Sequence, residues 1–154
     1  VINPSQKHFN PSFKSLLCYT GNRGGILLLK SIHHIAIICS DYEKSKAFYV
    51  HKLGFQVIQE TYREERGSYK LDLSLNGSYA IELFSFPDPP KRQTRPEAAG
   101  LRHLAFTVSS LDEAVQALHE KGIETEPIRT DPLTGKRFTF FFDPDQLPLE
   151  LYEQ

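Results

Sequence analysis

The sequence contains no methionine, not even at position 1, and no tryptophan. It has two cysteines, Cys18 and Cys39. Two are too few for a disulfide framework, so a reduced, cytoplasmic setting is the expectation. Long apolar runs are missing too. A stretch such as Ile26-Leu27-Leu28-Leu29 falls far short of the roughly 18 residues that a membrane span needs. It also lacks the length and flanks of a secretory signal. An excess of one charge is absent: 18 Lys and Arg stand against 19 Asp and Glu, with a pI near 6.6. No global basic field exists to attract nucleic acid or an anionic membrane, and neither is expected as a partner.

What is present is enough apolar material for a core. Forty per cent of the 154 residues are hydrophobic and 12% are aromatic, which sets disorder aside. The length suits one domain or two small modules sharing a core.

Residues 1–30 differ from the rest, rich in Pro, Asn, Ser, Lys and Gly without a sustained period. They are expected to form an extension outside the fold. With methionine missing, they are also expected to be foreign to the domain, from an upstream reading frame or an added segment. Arg23-Gly24-Gly25 would be encoded by a purine-rich stretch of ribosome-binding type, with a start other than ATG at Leu28 or Leu29.

From Ser31 the pattern becomes regular. Ile32–Cys39 reads as a buried strand. Asp41 reads as the N-cap of a helix to about Lys52, closed by Gly54. Strands follow at Gln56–Tyr62, Ser68–Leu75 and Tyr79–Phe86, the last two joined through Asn76-Gly77, a hairpin signal. Residues 87–100, with Pro87, Pro89, Pro90 and Pro96, read as a linker carrying Lys91, Arg92 and Arg95. The order then repeats. Leu101–Val108 is a strand, and Ser110 with Glu113 is a capping box. Leu111, Ala114, Val115 and Leu118 share one helix face, and Gly122 ends the helix. Strands at Glu124–Arg129, Phe138–Phe142 and Pro148–Tyr152 complete a second βαβββ unit. The fold class expected is therefore α+β, a domain over 31–154 with modules at 31–86 and 101–154.

The halves match in detail. His34-Ile35-Ala36-Ile37 corresponds to His103-Leu104-Ala105-Phe106, and Ile81-Glu82-Leu83 to Leu149-Glu150-Leu151. Strand alternation puts His34 on one face with Ala36 and Ile38, and His103 with Ala105 and Thr107. Glu82 and Glu150 each sit between aliphatic neighbours that point the other way. A buried carboxylate needs a partner or it neutralises itself. A divalent cation would serve, and two imidazoles with two carboxylates suit Zn, Ni, Co, Mn or Fe, whereas Mg or Ca prefers oxygen alone. The competing account gives each histidine a core hydrogen bond and makes each glutamate a strand-edge surface residue. Four such residues at equivalent repeat positions favour the metal. His33 is expected to face away from His34, in a structural or supporting role. His8, His51 and His119 are expected at the surface.

These stretches, with Phe48-Tyr49, Leu53-Gly54-Phe55, Gly100-Leu101-Arg102-His103 and Phe142-Asp143-Pro144-Asp145, resemble the vicinal oxygen chelate superfamily. That superfamily includes glyoxalase I, methylmalonyl-CoA epimerase, extradiol dioxygenases and fosfomycin resistance proteins. The match spans roughly Ile32 to Glu153. It implies paired βαβββ modules forming a curved, eight-stranded, barrel-like sheet around a metal, with helices outside. Bacterial glyoxalase I is the nearest pattern, since His34, Glu82, His103 and Glu150 fill its four ligand positions. The resemblance also implies one divalent ion per site and a homodimer whose site is shared between subunits. Two positions depart from glyoxalase I: an Arg and an Asn that contact glutathione are Ile38 and Phe86 here. The metal site therefore carries over more safely than the glutathione substrate. A signature Gly after Asp-Pro-Asp is Gln146, with little effect expected.

The activity so implied is that of a lactoylglutathione lyase-type enzyme. A metal would chelate vicinal oxygens of a small substrate while a carboxylate moves a proton through an enediolate-like intermediate. Glu150 is the first choice for the base, with Glu82 opposite. Arg63, Arg66 and Lys70 are candidate anchors for an anionic substrate, with Lys91, Arg92 and Arg95 as a weaker alternative on the linker. Arg102 is expected to face away from His103. Alternatives are an epimerase or a fosfomycin-type transferase on the same scaffold, or a non-catalytic binding protein of the bleomycin-resistance type. A dioxygenase fits less well because it uses a His, His, Glu set.

Overall fold

The described residues of the computed structural model are 28–154. The expectations for the extension, including Cys18, His8 and all but the last three residues of 1–30, therefore fall outside them. Residues Ile32–Gln154 form one compact unit.

Period-two runs of aliphatic residues give eight strands: β1 (Ile35–Cys39), β2 (Gln56–Arg63), β3 (Ser68–Leu75), β4 (Ser78–Ser85), β5 (Leu104–Val108), β6 (Arg129–Thr130), β7 (Arg137–Phe142) and β8 (Pro148–Glu153). Two helices, α1 (Tyr42–Ala47) and α2 (Leu111–Glu120), follow β1 and β5. The class is α+β as expected. The strands divide between two mixed four-stranded sheets, ordered β1-β4-β3-β2 and β5-β8-β7-β6. β1 runs parallel to β4 and β5 parallel to β8, while the other neighbours are antiparallel. The duplication read from the sequence is thus a duplication of topology.

Local chemistry explains the elements. The Asp41 side chain accepts a hydrogen bond from Lys44 N at 3.0 Å, capping α1. Ser110 caps α2 by accepting from Glu113 N, and Leu111 N donates to Glu153 Oε1 at 2.9 Å. Leu111 and Leu118 are buried, and Ala114 and Val115 pack beside them. Full burial of a leucine stabilises by about 1.5–3 kcal/mol. Asn76 and Gly77 both adopt left-handed φ, 50° and 77°, as a two-residue hairpin turn of type I′ demands.

Three boundaries differ from expectation. β1 and β5 begin at Ile35 and Leu104, so His34 and His103 sit just before their strands. The first helix changes at Phe48 into a π-helical turn through Lys52, closed by Leu53 N donating to Phe48 O at 3.0 Å. The wider turn lets the adjacent Phe48 and Tyr49 both face the core, at 7% and 0% exposure. The strand expected over 124–129 shrinks to β6. Glu126 N still bonds Phe140 O at 2.7 Å, but Pro127 has no N–H to continue a ladder.

Leu71, Leu73, Ile81 and Leu83 of the first sheet, and Phe141, Leu149 and Leu151 of the second, form the core. Tyr49 ties the modules: its hydroxyl donates to Asp143 Oδ2 at 2.9 Å. Asp145 Oδ2 accepts from Ser40 N at 2.9 Å. Among the described residues no helix is long and apolar enough to cross a membrane.

Candidate metal centre

Burial of alternate residues turns the other sheet face outward. Ile37 and Cys39 are buried while Ala36 and Ile38 are exposed, and Ala105 and Thr107 are exposed likewise. In β4, Ile81 and Leu83 are buried on either side of Glu82; in β8, Leu149 and Leu151 flank Glu150. Register makes the halves equivalent. Ala36 pairs with Glu82 and Ala105 with Glu150, so each glutamate lies opposite the residue two places after its histidine.

Each module therefore holds one His–Glu pair. His34 Nε2 is 3.3 Å from Glu82 Oε2, and His103 Nε2 is 3.0 Å from Glu150 Oε2. Two ligand atoms held at right angles about 2.1 Å from one ion lie about 3.0 Å apart. Both pairs have this spacing, and both offer an imidazole nitrogen and a carboxylate oxygen, so each fits as half of a metal centre. Within one chain the halves stay separate. Among the described residues no group of three or more His, Cys, Asp or Glu side chains could hold an ion together.

The surroundings of the two pairs differ. Glu82 Oε1 accepts from Tyr79 Oη at 2.6 Å and from Lys70 Nζ at 2.8 Å. The hydrogen bonds from Lys70 and then Tyr79 hold the Glu82 carboxyl below its ordinary value, against burial. Burial raises Asp72, but its hydrogen bonds with Lys70 and Tyr79 outweigh that and lower it. Burial, with acceptors Glu82 and Asp72, pushes the Tyr79 hydroxyl up. His33 Nδ1 is 2.8 Å from His34 Nδ1, a supporting contact that fixes the His34 ring. Residues 32–34 precede β1, so alternation does not turn His33 away. In the second module the equivalents of Lys70 and Asp72 are aromatic, Phe138 and Phe140. Phe140 pairs with Glu150 as Asp72 pairs with Glu82, and its ring meets His103 edge-on at 5.3 Å. Among the described residues Glu150 has no polar side-chain partner besides His103, and His103 Nδ1 is buried without one.

The anchors expected from sequence distribute unevenly. Lys70 touches the candidate ligand Glu82 itself. Arg63 donates to Ser68 Oγ at 2.7 Å and stacks on Phe84 and Phe86 at 4.8 and 5.4 Å. Arg66 lies exposed in the 3-10 turn Glu64–Arg66. Sequence reasoning missed Asp72 and Arg129. The guanidinium of Arg129 lies over Phe138 and Phe140 at 5.0 and 5.3 Å. Arg102 and His103 line the same cavity, because both precede β5 and alternation does not separate them. The Cys39 thiol is remote from this chemistry: burial pushes it up to about 11.

Comparison with known proteins places these observations in one family. The model of the Glyoxalase/Bleomycin resistance protein/Dioxygenase superfamily matches residues 31–151. The YwkD protein of Bacillus subtilis (strain 168) is 95% identical over 128 residues, 83% of this chain and all of that one. The YaeR protein of Escherichia coli (strain K12) is 63% identical over 129 residues, 84% of this chain and all of that one. A crystal structure of the glyoxalase family protein from Enterococcus faecalis is 54% identical. It superposes with a TM-score of 0.76 over 80% of this chain and 98% of that one. The curated similarity reaches, at 25% and 28% identity, a 2-epi-5-epi-valiolone epimerase of Actinomyces sp and a metallothiol transferase FosB of Staphylococcus saprophyticus. They cover 79% and 81% of this chain, and 78% of each relative.

Proposed function

The chain belongs to the glyoxalase/bleomycin resistance protein/dioxygenase superfamily, and we propose that within it the protein is a metal-dependent lyase or isomerase of the glyoxalase type, acting as a cytoplasmic homodimer. The observation that carries this reading is the pair of equivalent His–Glu contacts at 3.3 and 3.0 Å. Each is half of a ligand set, and each stands on an open sheet face. A second copy seated on those faces would complete two sites, each with His34 and Glu82 of one subunit and His103 and Glu150 of the other. A divalent ion there, Ni, Co, Zn, Mn or Fe, would supply Lewis acidity toward two vicinal oxygens of a small substrate.

The chain's own residues divide the remaining work. Glu82 is fixed by Lys70 and Tyr79 and keeps only Oε2 free toward His34, which suits a permanent ligand. Among the described residues Glu150 has a single polar side-chain neighbour, His103, and the half-buried rings of Phe138 and Phe140 line the face beside it. That freedom suits the group that takes a proton from one substrate carbon and returns it to the next. His33 holds the His34 ring in place.

A second reading, an epimerase moving a proton on and off one carbon, is favoured by Ile38, which is 58% exposed on the site face, and by Phe86, which takes part in the Arg63 stack. Neither offers a polar contact to a glutathione chain. The experiment is metal analysis of the purified protein, followed by turnover of the methylglyoxal–glutathione hemithioacetal with each metal in turn. One ion per subunit with turnover supports the lyase. One ion without turnover leaves the epimerase, and no bound ion refutes both.

A further inference from the structure

The linker over residues 87–100 builds a wall rather than a loose tether. Arg92 Nη2 donates to the carbonyl oxygens of Leu101 and Arg102, and Thr94 Oγ1 donates to Gln146 O at 2.9 Å. Between this wall and β6, β7 and β8 lies a cavity of about 140 Å³ that opens onto His103. Four guanidiniums line it, those of Arg92, Arg95, Arg102 and Arg129, against the carboxylates of Glu97 and Glu126.

Two of these arginines are poised and under-neutralised. Glu126 is shared: its Oε2 accepts from Arg129 at 2.8 Å, and its Oε1 lies 3.7 Å from Arg95. One carboxylate thus serves two cations. The Arg129 guanidinium lies 5.0 and 5.3 Å from the ring centroids of Phe138 and Phe140, which stand nearly perpendicular to each other, so two rings position it. Phe140 is also the ring against which His103 rests. The cationic centre is one aromatic side chain away from the His103–Glu150 pair. A guanidinium fork matches the two oxygens of a carboxylate or phosphate, and two forks around one small cavity select an oxyanion.

We propose that this cavity binds the oxyanion head group, carboxylate or phosphate, of the substrate, with Arg95 and Arg129 as its ligands and Glu126 as the resident carboxylate that it displaces. The role as a substrate subsite rests on the reading of the metal centre; the anion site itself does not. His103 lines the same cavity, so the head group it admits lies beside that residue.

The test is calorimetric titration of the full chain with inorganic phosphate and, separately, with acetate, before and after treatment with a chelator. Saturable binding that survives chelation is expected, weakened about tenfold by R95Q and by R129Q, and tightened by E126Q, which frees both forks. R129K is expected to restore part of the affinity. A stronger response to phosphate than to acetate, or the reverse, identifies which oxyanion the site takes. Should R129Q fail to fold for loss of its aromatic stacking, R95Q still decides, because that side chain is 78% exposed and supports no packing. Phosphate affinity unchanged in R95Q and E126Q overturns the proposal, as does binding that vanishes on chelation or no saturable binding at all. H103A separates the two readings. It is expected to lose metal while keeping phosphate; retention of metal would refute the metal centre and leave the anion site standing.

Discussion

Asp72 and Phe140 occupy the same position in the two modules, each facing its module's glutamate across the sheet. The first continues a hydrogen-bonded cluster with Lys70 and Tyr79, and the second presents an aromatic ring to His103. A duplicated fold has thus diverged into one polar and one apolar half-site around the same His–Glu pair.

That divergence is measurable at Glu82. Its carboxyl lies below the ordinary value first because of Lys70 and then Tyr79. Lys70→Met is expected to raise it, by removing the cation and leaving Asp72 nearby, and Tyr79→Phe to raise it less. Carbon-detected NMR titration of the metal-free protein checks both shifts. An unchanged Glu82 in Lys70→Met would remove the basis for treating it as the fixed ligand.

Acid stability is expected to depend on Glu153. Hydrogen bonds from Arg137, then from Leu111 N, hold its carboxyl down at about 2, against an ordinary value of 4.5. A group depressed on folding stabilises fully above its unfolded value and loses that contribution as pH falls through the folded one. The Glu153 contribution should therefore be complete above about pH 4.5 and vanish toward pH 2. Urea unfolding of wild type and Glu153→Gln across this window should show the two curves converging at the acid end. A gap that stays constant down to pH 2 would contradict the assignment.

Tyr49→Phe is expected to destabilise by about 1–3 kcal/mol, because it leaves a buried acceptor on Asp143 without its hydroxyl donor. Tyr49 and Asp143 are 0% and 3% exposed and belong to different modules. Thermal unfolding checks the loss, and no measurable loss would show that backbone donors alone satisfy Asp143.

Gln146 adopts a left-handed φ of 66°, where a side chain costs about 1–2 kcal/mol. Gln146→Gly removes that cost and restores about 0.4–1 kcal/mol of unfolded-chain entropy. The net expectation is a gain of between zero and about 1.6 kcal/mol, read from denaturant midpoints. A clear destabilisation would mean that the glutamine side chain earns its place by a contact in the assembled protein.

Much of this was legible in the sequence because it depends on period and repetition. The two βαβββ units, the Asp41 and Ser110 caps and the Asn76-Gly77 turn all follow from local rules, as do the outward faces of Glu82 and Glu150; His34 and His103 precede their strands, where alternation no longer applies. What escaped depends on register. With a two-residue turn alone, Asp72 would face Ile81; a bulge between Leu73 and Ser74 shifts the pairing so that it faces Glu82. No local residue pattern announces that bulge. Arg129 escaped because it reaches the site through stacking on β7, a contact between separate strands. The sequence pattern groups the four candidate ligands as one constellation, whereas among the described residues of a single chain they form two pairs.

The shared centre is tested most directly by mixing subunits. His34→Ala and His103→Ala each remove one half of every site, so neither variant alone should retain metal. A dimer of one His34→Ala and one His103→Ala subunit, purified through two different tags, would keep one site in which both halves are intact. Close to one metal ion per mixed dimer is the expected result. No metal in the mixed dimer, or full metal in either variant alone, would contradict the account.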